Sequence, residues 1–187
     1  MIILLCGYKG SGKDTCANYI CKKYKFVHHK ISLPLKEGLQ KIFDFSDEQI
    51  EGSLKDEVDP NWLITPREAM VYLGTEIFQY HIQNKLPNIG RNFWIQQLER
   101  KLVDNKNSHI IISDLRFWHE LTYLKQHVHK DDIIVVKIYN PNIQIYQKDA
   151  DQSETEHLNF PIDYIIENTA DENYFTNIDL VLSSLCK

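Results

Sequence analysis

Arginine stands at only four of the 187 positions, 67, 91, 100 and 116. Acid outweighs base, with 26 Asp and Glu against 21 Lys and Arg, for a net charge of −5. That balance excludes general binding of nucleic-acid polymers, because a phosphate backbone demands a basic face. A small anion needs only a local basic pocket, so it stays open as a ligand. Cysteine is sparse too. Cys6, Cys16, Cys21 and Cys186 form no CxxC pair and have no histidines at zinc spacing, so reduced thiols in a cytoplasmic protein are the expectation. The opening run "MIILLC" is too short for a membrane span and has no basic residues ahead of it. It reads as a buried strand, and neither a membrane partner nor a signal peptide is expected. Internal repeats, low-complexity tracts and an NKxD guanine-recognition motif are all missing.

What is present is ordinary globular composition, 43% hydrophobic and 25% charged. The length fits one domain able to bury ~70% of its unfolded surface. Three apolar runs, 1–7, 109–114 and 132–139, read as buried parallel strands, with weaker ones at 26–32 and 163–168. Helical stretches fall between them, at 13–24, 35–43, 65–83, 92–105, 116–127 and 171–185. The stretch 65–83 opens with Thr65 as N-cap, Pro66 at the first helical position and Glu68 three residues after the cap, a capping box. Alternation of strand and helix predicts a doubly wound parallel sheet. The acidic, turn-rich stretch 44–64 reads as a surface excursion. The polar stretch 141–161 is too long for a routine connection, and it reads as a lid.

The chemistry concentrates in "GYKGSGKDT", residues 7–15. Gly7, Gly12 and Lys13 keep the Walker A spacing directly after a strand and before a helix. Glycines let the backbone wrap phosphate oxygens, the N–H groups point inward, and the helix start adds its positive end. Lys13 then reaches the β/γ-phosphates. The position after the lysine, normally Ser or Thr, holds Asp14, and Thr15 follows one residue late. A carboxylate beside phosphate calls for a cation between them, which points Asp14 toward Mg²⁺; complementing the helix dipole is the alternative.

The run "IIISDLR" ends in Asp114 like a Walker B strand, whose carboxylate holds Mg²⁺ through water, and Arg116 follows at the same carboxyl edge. A helix cap at Asp114 and a surface role for Arg116 are the alternatives. Arg67 sits in the first turn of a helix, a poor place for a cation, and a bound anion offsets that cost; it is the candidate for a second phosphate. Lys9 inside the loop and Lys36 after the second strand are candidates for an acceptor phosphate, with a surface role open for Lys36. The eight histidines offer no convincing metal cluster. Trp62, Trp94 and Trp118 read as core residues before base platforms.

Taken in order, "GYKGSGKDT", "SLPLKE", "TPREAMVYLGTE", "FW" (93–94), "ISDLRFWHE" and "IENT" (166–169) resemble the deoxynucleoside monophosphate kinases of bacteriophages and large DNA viruses over nearly the whole chain. "SGKD" and "SD-x-R" also resemble the animal-type phosphomevalonate kinases, whereas "TPRE…LGTE" is more particular to the nucleotide enzymes. The resemblance implies a P-loop NTPase fold of the nucleoside monophosphate kinase type: three α/β/α layers, a five-stranded parallel sheet and a lid. It implies one domain over 1–187, with an acceptor-binding insertion at about 33–95 and the lid at about 141–161. The implied activity is ATP- and Mg²⁺-dependent phosphorylation of a deoxynucleoside monophosphate in the cytoplasm, that of a host if the chain is viral; a homodimer is compatible with it. Gly10, Ser11, Gly12, Lys13, Asp14 and Thr15 would hold ATP, and Asp14 and Asp114 the metal. Lys9, Leu35, Lys36 and Arg67 would hold the acceptor, with Asp151 and Glu154 from the lid, and Arg116 would bridge donor and acceptor phosphates. The lid departs from such kinases in having no arginine, and Lys148 is its only basic residue. Two alternatives stand beside this reading, a small-molecule kinase of the phosphomevalonate type and a non-kinase nucleotide-binding or ATPase module.

Overall fold

The computed structural model describes residues 1–103, 108–127, 133–143 and 156–185. The expected lid residues Lys148, Asp151 and Glu154, and Cys186, lie outside them. Five strands form one parallel sheet: β1 (Ile2–Cys6), β2 (Val27–His29), β3 (Ile110–Ile112), β4 (Ile133–Tyr139) and β5 (Tyr164–Glu167), in the order β2-β3-β1-β4-β5. All five are those expected from the apolar runs. β1 is central, with Ile2 opposite both Ile110 and Ile133. Because the pairing is parallel throughout, the residues just after β1, β2, β3 and β5 gather at one edge of the sheet.

The chain forms two compact units. The first, Met1–Lys30 with Leu102–Lys187, contains the sheet. Successive strand residues point to opposite faces, and both faces are buried, which is why the strands are apolar without alternation. Ile3, Leu5, Ile111, Val136, Ile138 and Ile166 pack with Cys16, Ala17 and Ile20 of α1 (Lys13–Tyr24) and with Tyr174, Ile178 and Leu182 of the last helix, Glu172–Leu185. Leu4, Cys6, Ile112 and Val135 fill the other face.

The second unit, Ile31–Lys101, carries α2 (Leu33–Phe43), α3 (Asp47–Ile50) and α4 (Pro66–Val71), and the start of α5 (Phe93–Val103). Its core is Leu39, Phe45, Ile50 and Ala69. The acidic stretch 44–64 is thus more than a surface excursion, because Phe45 and Ile50 are buried and Ser46 caps α3 in a reciprocal box with Gln49. Asp59 braces its far end, accepting from the N–H groups of Asn61 and Trp62 and from Gln49 Nε2. The box predicted at Thr65 is present: Glu68 N–H donates to Thr65 Oγ1 at 3.1 Å, and Thr65 N–H donates to Glu68 Oε2 at 2.7 Å. The expected single helix over 65–83 instead loosens after Val71 into a π-helix, Tyr72–His81. There the indole of Trp94 donates to the Gly74 carbonyl at 2.9 Å, a tertiary bond competing for an oxygen a helix would use itself. The α6 helix (Trp118–His127) belongs to the first unit, and the last helix, Glu172–Leu185, is α7. No helix among the described residues is long and apolar enough to cross a membrane.

Candidate active site

The loop after β1 owes its shape to glycine. Gly12, at φ +100°, caps α1, and a Cβ there would meet Asn168 Nδ2 at 2.3 Å; one at Gly7, φ +141°, would meet the Ile138 carbonyl oxygen at 2.4 Å. The loop's carbonyl groups are tied down. Lys13 Nζ donates to the Gly7 and Tyr8 oxygens, each at 2.7 Å. Asn168 Nδ2 donates to the Ser11 oxygen at 2.8 Å, and the Tyr174 hydroxyl to the Gly12 oxygen at 2.9 Å. With these four oxygens held, and the Ser11 N–H itself given to the Tyr8 oxygen at 3.1 Å, the first turn of α1 presents N–H groups, the donor set of an anion site. Ser11 Oγ is buried without a hydrogen-bond partner, as suits a hydroxyl reserved for a ligand oxygen. Gly10, Lys9 and Thr15 are exposed around the loop.

Asp14 begins α1 and faces two strand ends. Its Oδ1 accepts from Ser113 Oγ at 2.7 Å and pairs with Lys30 Nζ at 3.3 Å. Ser113 Oγ also meets His28 Nε2 at 2.8 Å; since the single hydroxyl proton goes to the carboxylate, Nε2 must be the protonated nitrogen of His28. A cation beside Asp14 was expected from chemistry alone. The protein supplies one of its own in Lys30, a side chain only 18% exposed to which no motif points.

Asp114 is half-buried and Arg116 exposed in the turn from β3 to α6, one and three residues past Ser113. Glu120, in the first turn of α6, accepts the N–H groups of Arg116 and Phe117 on one oxygen. Burial pushes its carboxyl up to about 7, aided by Asp114 and opposed by those two bonds and by Arg116. Cys6 and Cys16 are pushed up to about 12 by burial, so neither is a nucleophile.

The acceptor candidates of the second unit form a separate group. Lys36, its side chain 14% exposed, pairs with Glu51 at 2.8 Å. Arg67 grips both carboxylate oxygens of Asp56, with Nη2 to Oδ2 at 3.1 Å. The anion that offsets a cation in the first turn of α4 is therefore intramolecular, and the acidic stretch 44–64 provides both carboxylates. Leu35 lines a cavity of about 310 Å³ with Leu39, Leu73, Phe78, Trp94 and Gln97. Trp94 is core, as expected, while Trp62 and Trp118 stand partly exposed.

Sequence reasoning had named Lys13, Asp14, Asp114 and Arg116 but missed His28, Lys30, Ser113, Glu120, Asn168 and Tyr174. Asn168 and Ser113 stand inside stretches singled out for resemblance, "IENT" and "ISDLRFWHE", which was the available signal. His28 carries no such signal, since the histidines offer no convincing metal cluster in the sequence. His157, 2% exposed, is no surface histidine; its ring stands edge-on to Tyr8 of the loop at 4.9 Å.

A parallel sheet with a glycine loop and a lysine at Walker A spacing after its central strand defines a P-loop kinase-like α/β protein. The family model described as "Deoxynucleotide monophosphate kinase" matches residues 1–60. A protein of Acanthamoeba polyphaga mimivirus, named "Putative deoxynucleotide monophosphate kinase", is 33% identical over 136 residues, 67% of this chain and 69% of its own length. The chain belongs to the deoxynucleotide monophosphate kinase family, the viral type its motifs resemble. Among solved structures, TT1252 from Thermus thermophilus (TM-score 0.52, 14% identity, 100% of this chain and 96% of that one) shares the fold. So does the shikimate kinase of Bacteroides thetaiotaomicron (0.51, 12%, 100% and 99%).

One prediction concerns Glu120 and stability. Its folded pKa, about 7, lies above the usual 4.5, so its contribution is fully present below pH 4.5 and is lost as pH rises through 7. The stability of wild type relative to Glu120→Gln should fall by on the order of 3 kcal/mol across that window, read from urea midpoints at stepped pH. A flat difference would show that the buried carboxyl ionises freely.

Proposed function

We propose that the chain transfers the γ-phosphoryl group of ATP to the 5′-phosphate of a deoxynucleoside monophosphate, giving ADP and the deoxynucleoside diphosphate. The observation that carries this reading is the loop 7–12, whose carbonyl oxygens are tied to Lys13, Asn168 and Tyr174. An acceptor phosphate oxygen forms the new bond to the γ-phosphorus while the bond to the β-bridging oxygen breaks. The attacking acceptor oxygen is already anionic, so no strong general base is required, and the bridging oxygen leaves with ADP. Catalysis is then positioning and charge neutralisation.

Within this reading, Gly10–Thr15 receive the polyphosphate on backbone N–H groups, with Ser11 Oγ as a further donor and Lys13 on the β/γ-oxygens. Asp14 and Asp114 supply an all-oxygen donor set of the kind Mg²⁺ takes, one or two carboxylates plus phosphates. Mg²⁺ held by these carboxylates would supply charge neutralisation to the polyphosphate. Ser113 and His28 fix the Asp14 carboxylate, and Lys30 balances its charge. Arg116 meets the transferred group. The unit Ile31–Lys101 serves as the acceptor-binding insertion, its Lys36 and Arg67 exchanging Glu51 and Asp56 for the acceptor phosphate; Lys9 is the loop's own candidate for that phosphate. The cavity beside Leu35, at the small end of ligand sites, offers aromatic walls to a single base.

The test is ADP release with Mg-ATP against the four deoxynucleoside monophosphates, their ribose counterparts and phosphomevalonate. Turnover with at least one deoxynucleotide and none with phosphomevalonate is expected; turnover with phosphomevalonate alone, or acceptor-independent hydrolysis, would contradict the reading. Lys13→Ala and Arg116→Ala should each lower kcat by about a hundredfold or more, whereas Arg67→Ala should chiefly raise the acceptor's KM. Ser113→Ala, which takes the hydroxyl from Asp14, should weaken the apparent Mg²⁺ affinity by about tenfold in rates titrated with the metal.

A further inference from the structure

Glu120 is a buried, ionisable side chain to which the mechanism above gives no task. Glu120 is 4% exposed, and its Oε2 accepts the N–H of Arg116 at 3.0 Å and the N–H of Phe117 at 3.0 Å. As third residue of α6 it can cap that helix, but an exposed glutamate does this without the cost of a buried carboxylate. The two amides it holds lie on either side of the Arg116 α-carbon. The turn is otherwise pinned by Leu115 and Phe117, 1% and 3% exposed, while Arg116 between them is exposed. The backbone direction from which the guanidinium departs is therefore set by two apolar anchors and one carboxylate oxygen.

We propose that Glu120 is a positioning residue for phosphoryl transfer: by clamping the amides of Arg116 and Phe117 it fixes the turn that aims Arg116 at the transferred phosphate. The inference rests on the role given to Arg116 in the proposed function. A guanidinium on a long side chain amplifies any pivot of its backbone, and misplacement of a catalytic group by 1 Å costs on the order of a hundredfold.

The test is a double-mutant cycle in steady-state kinetics. Glu120→Ala should lower kcat by about 10- to 100-fold while the KM values for ATP and acceptor stay within about threefold. Glu120→Gln, whose amide oxygen accepts the same two N–H groups, should recover kcat to within about threefold of wild type. In an Arg116→Ala background, Glu120→Ala should cost nothing further, because the two residues act as one unit. Should Glu120→Ala melt before the assay temperature, Glu120→Asp, which withdraws the oxygen but keeps the charge, replaces it with the same expectations. A loss that persists undiminished without Arg116, or a Gln variant as impaired as Ala, would overturn the proposal. Wild-type turnover by Arg116→Ala would overturn the role of Arg116 and the proposal with it, while leaving Lys13→Ala to report on the kinase reading by itself.

Discussion

In a protein of net charge −5, a polyphosphate needs a local donor-rich pocket, and a backbone loop supplies one when its N–H groups are turned toward the ligand and its oxygens away. The loop 7–12 goes most of the way to that arrangement by giving the oxygens of Gly7, Tyr8, Ser11 and Gly12 side-chain donors. Two donors come from Lys13, one from Asn168 just past β5 and one from Tyr174 on α7. Glycine at 7 and 12 is required because a side chain at either would strike the Ile138 carbonyl or the Asn168 amide. The strand order matters for the same reason, since a parallel sheet delivers the ends of β2, β3 and β5 to the edge where β1 ends.

Charge is handled by pairing in both units. Asp14 has Lys30, Lys36 has Glu51, and Arg67 has Asp56. Solvent-facing carboxylates in pairs of this kind contribute little to stability; in the proposed function the pairs would hold long side chains in one place before a ligand arrives. A fork between Arg67 and a carboxylate is the same geometry that suits a phosphate, so exchange of one anion for the other changes little else. The thiols, raised by burial, play no part.

The sheet and the loop were legible in the sequence because their causes are local. Five apolar runs bounded by turns gave five strands, and the spacing of Gly7, Gly12 and Lys13 lies within seven residues. What stayed hidden depends on register and tertiary contact. Lys30 and His28 reach Asp14 and Ser113 because β2 lies beside β3 with His29 opposite Ile112, an ordering that no spacing along the chain encodes. The π-helix reflects a bond from Trp94, twenty residues on, to Gly74. The stretch 44–64 was misjudged from its acidic composition, since Phe45 and Ile50, the residues that anchor it, are few among many charges. Glu120 looked like any glutamate in a first helical turn until its burial was known.

The central claim is that tying back the loop's carbonyl oxygens creates the phosphate site. Asn168 tests it most directly, because it touches the loop from a distant strand and has no reason to contact ATP. Calorimetric titration of Mg-ATP into wild type and Asn168→Ala should show affinity weakened by about tenfold or more in a variant that keeps its circular dichroism spectrum. Equal affinity in the two folded proteins would contradict the account.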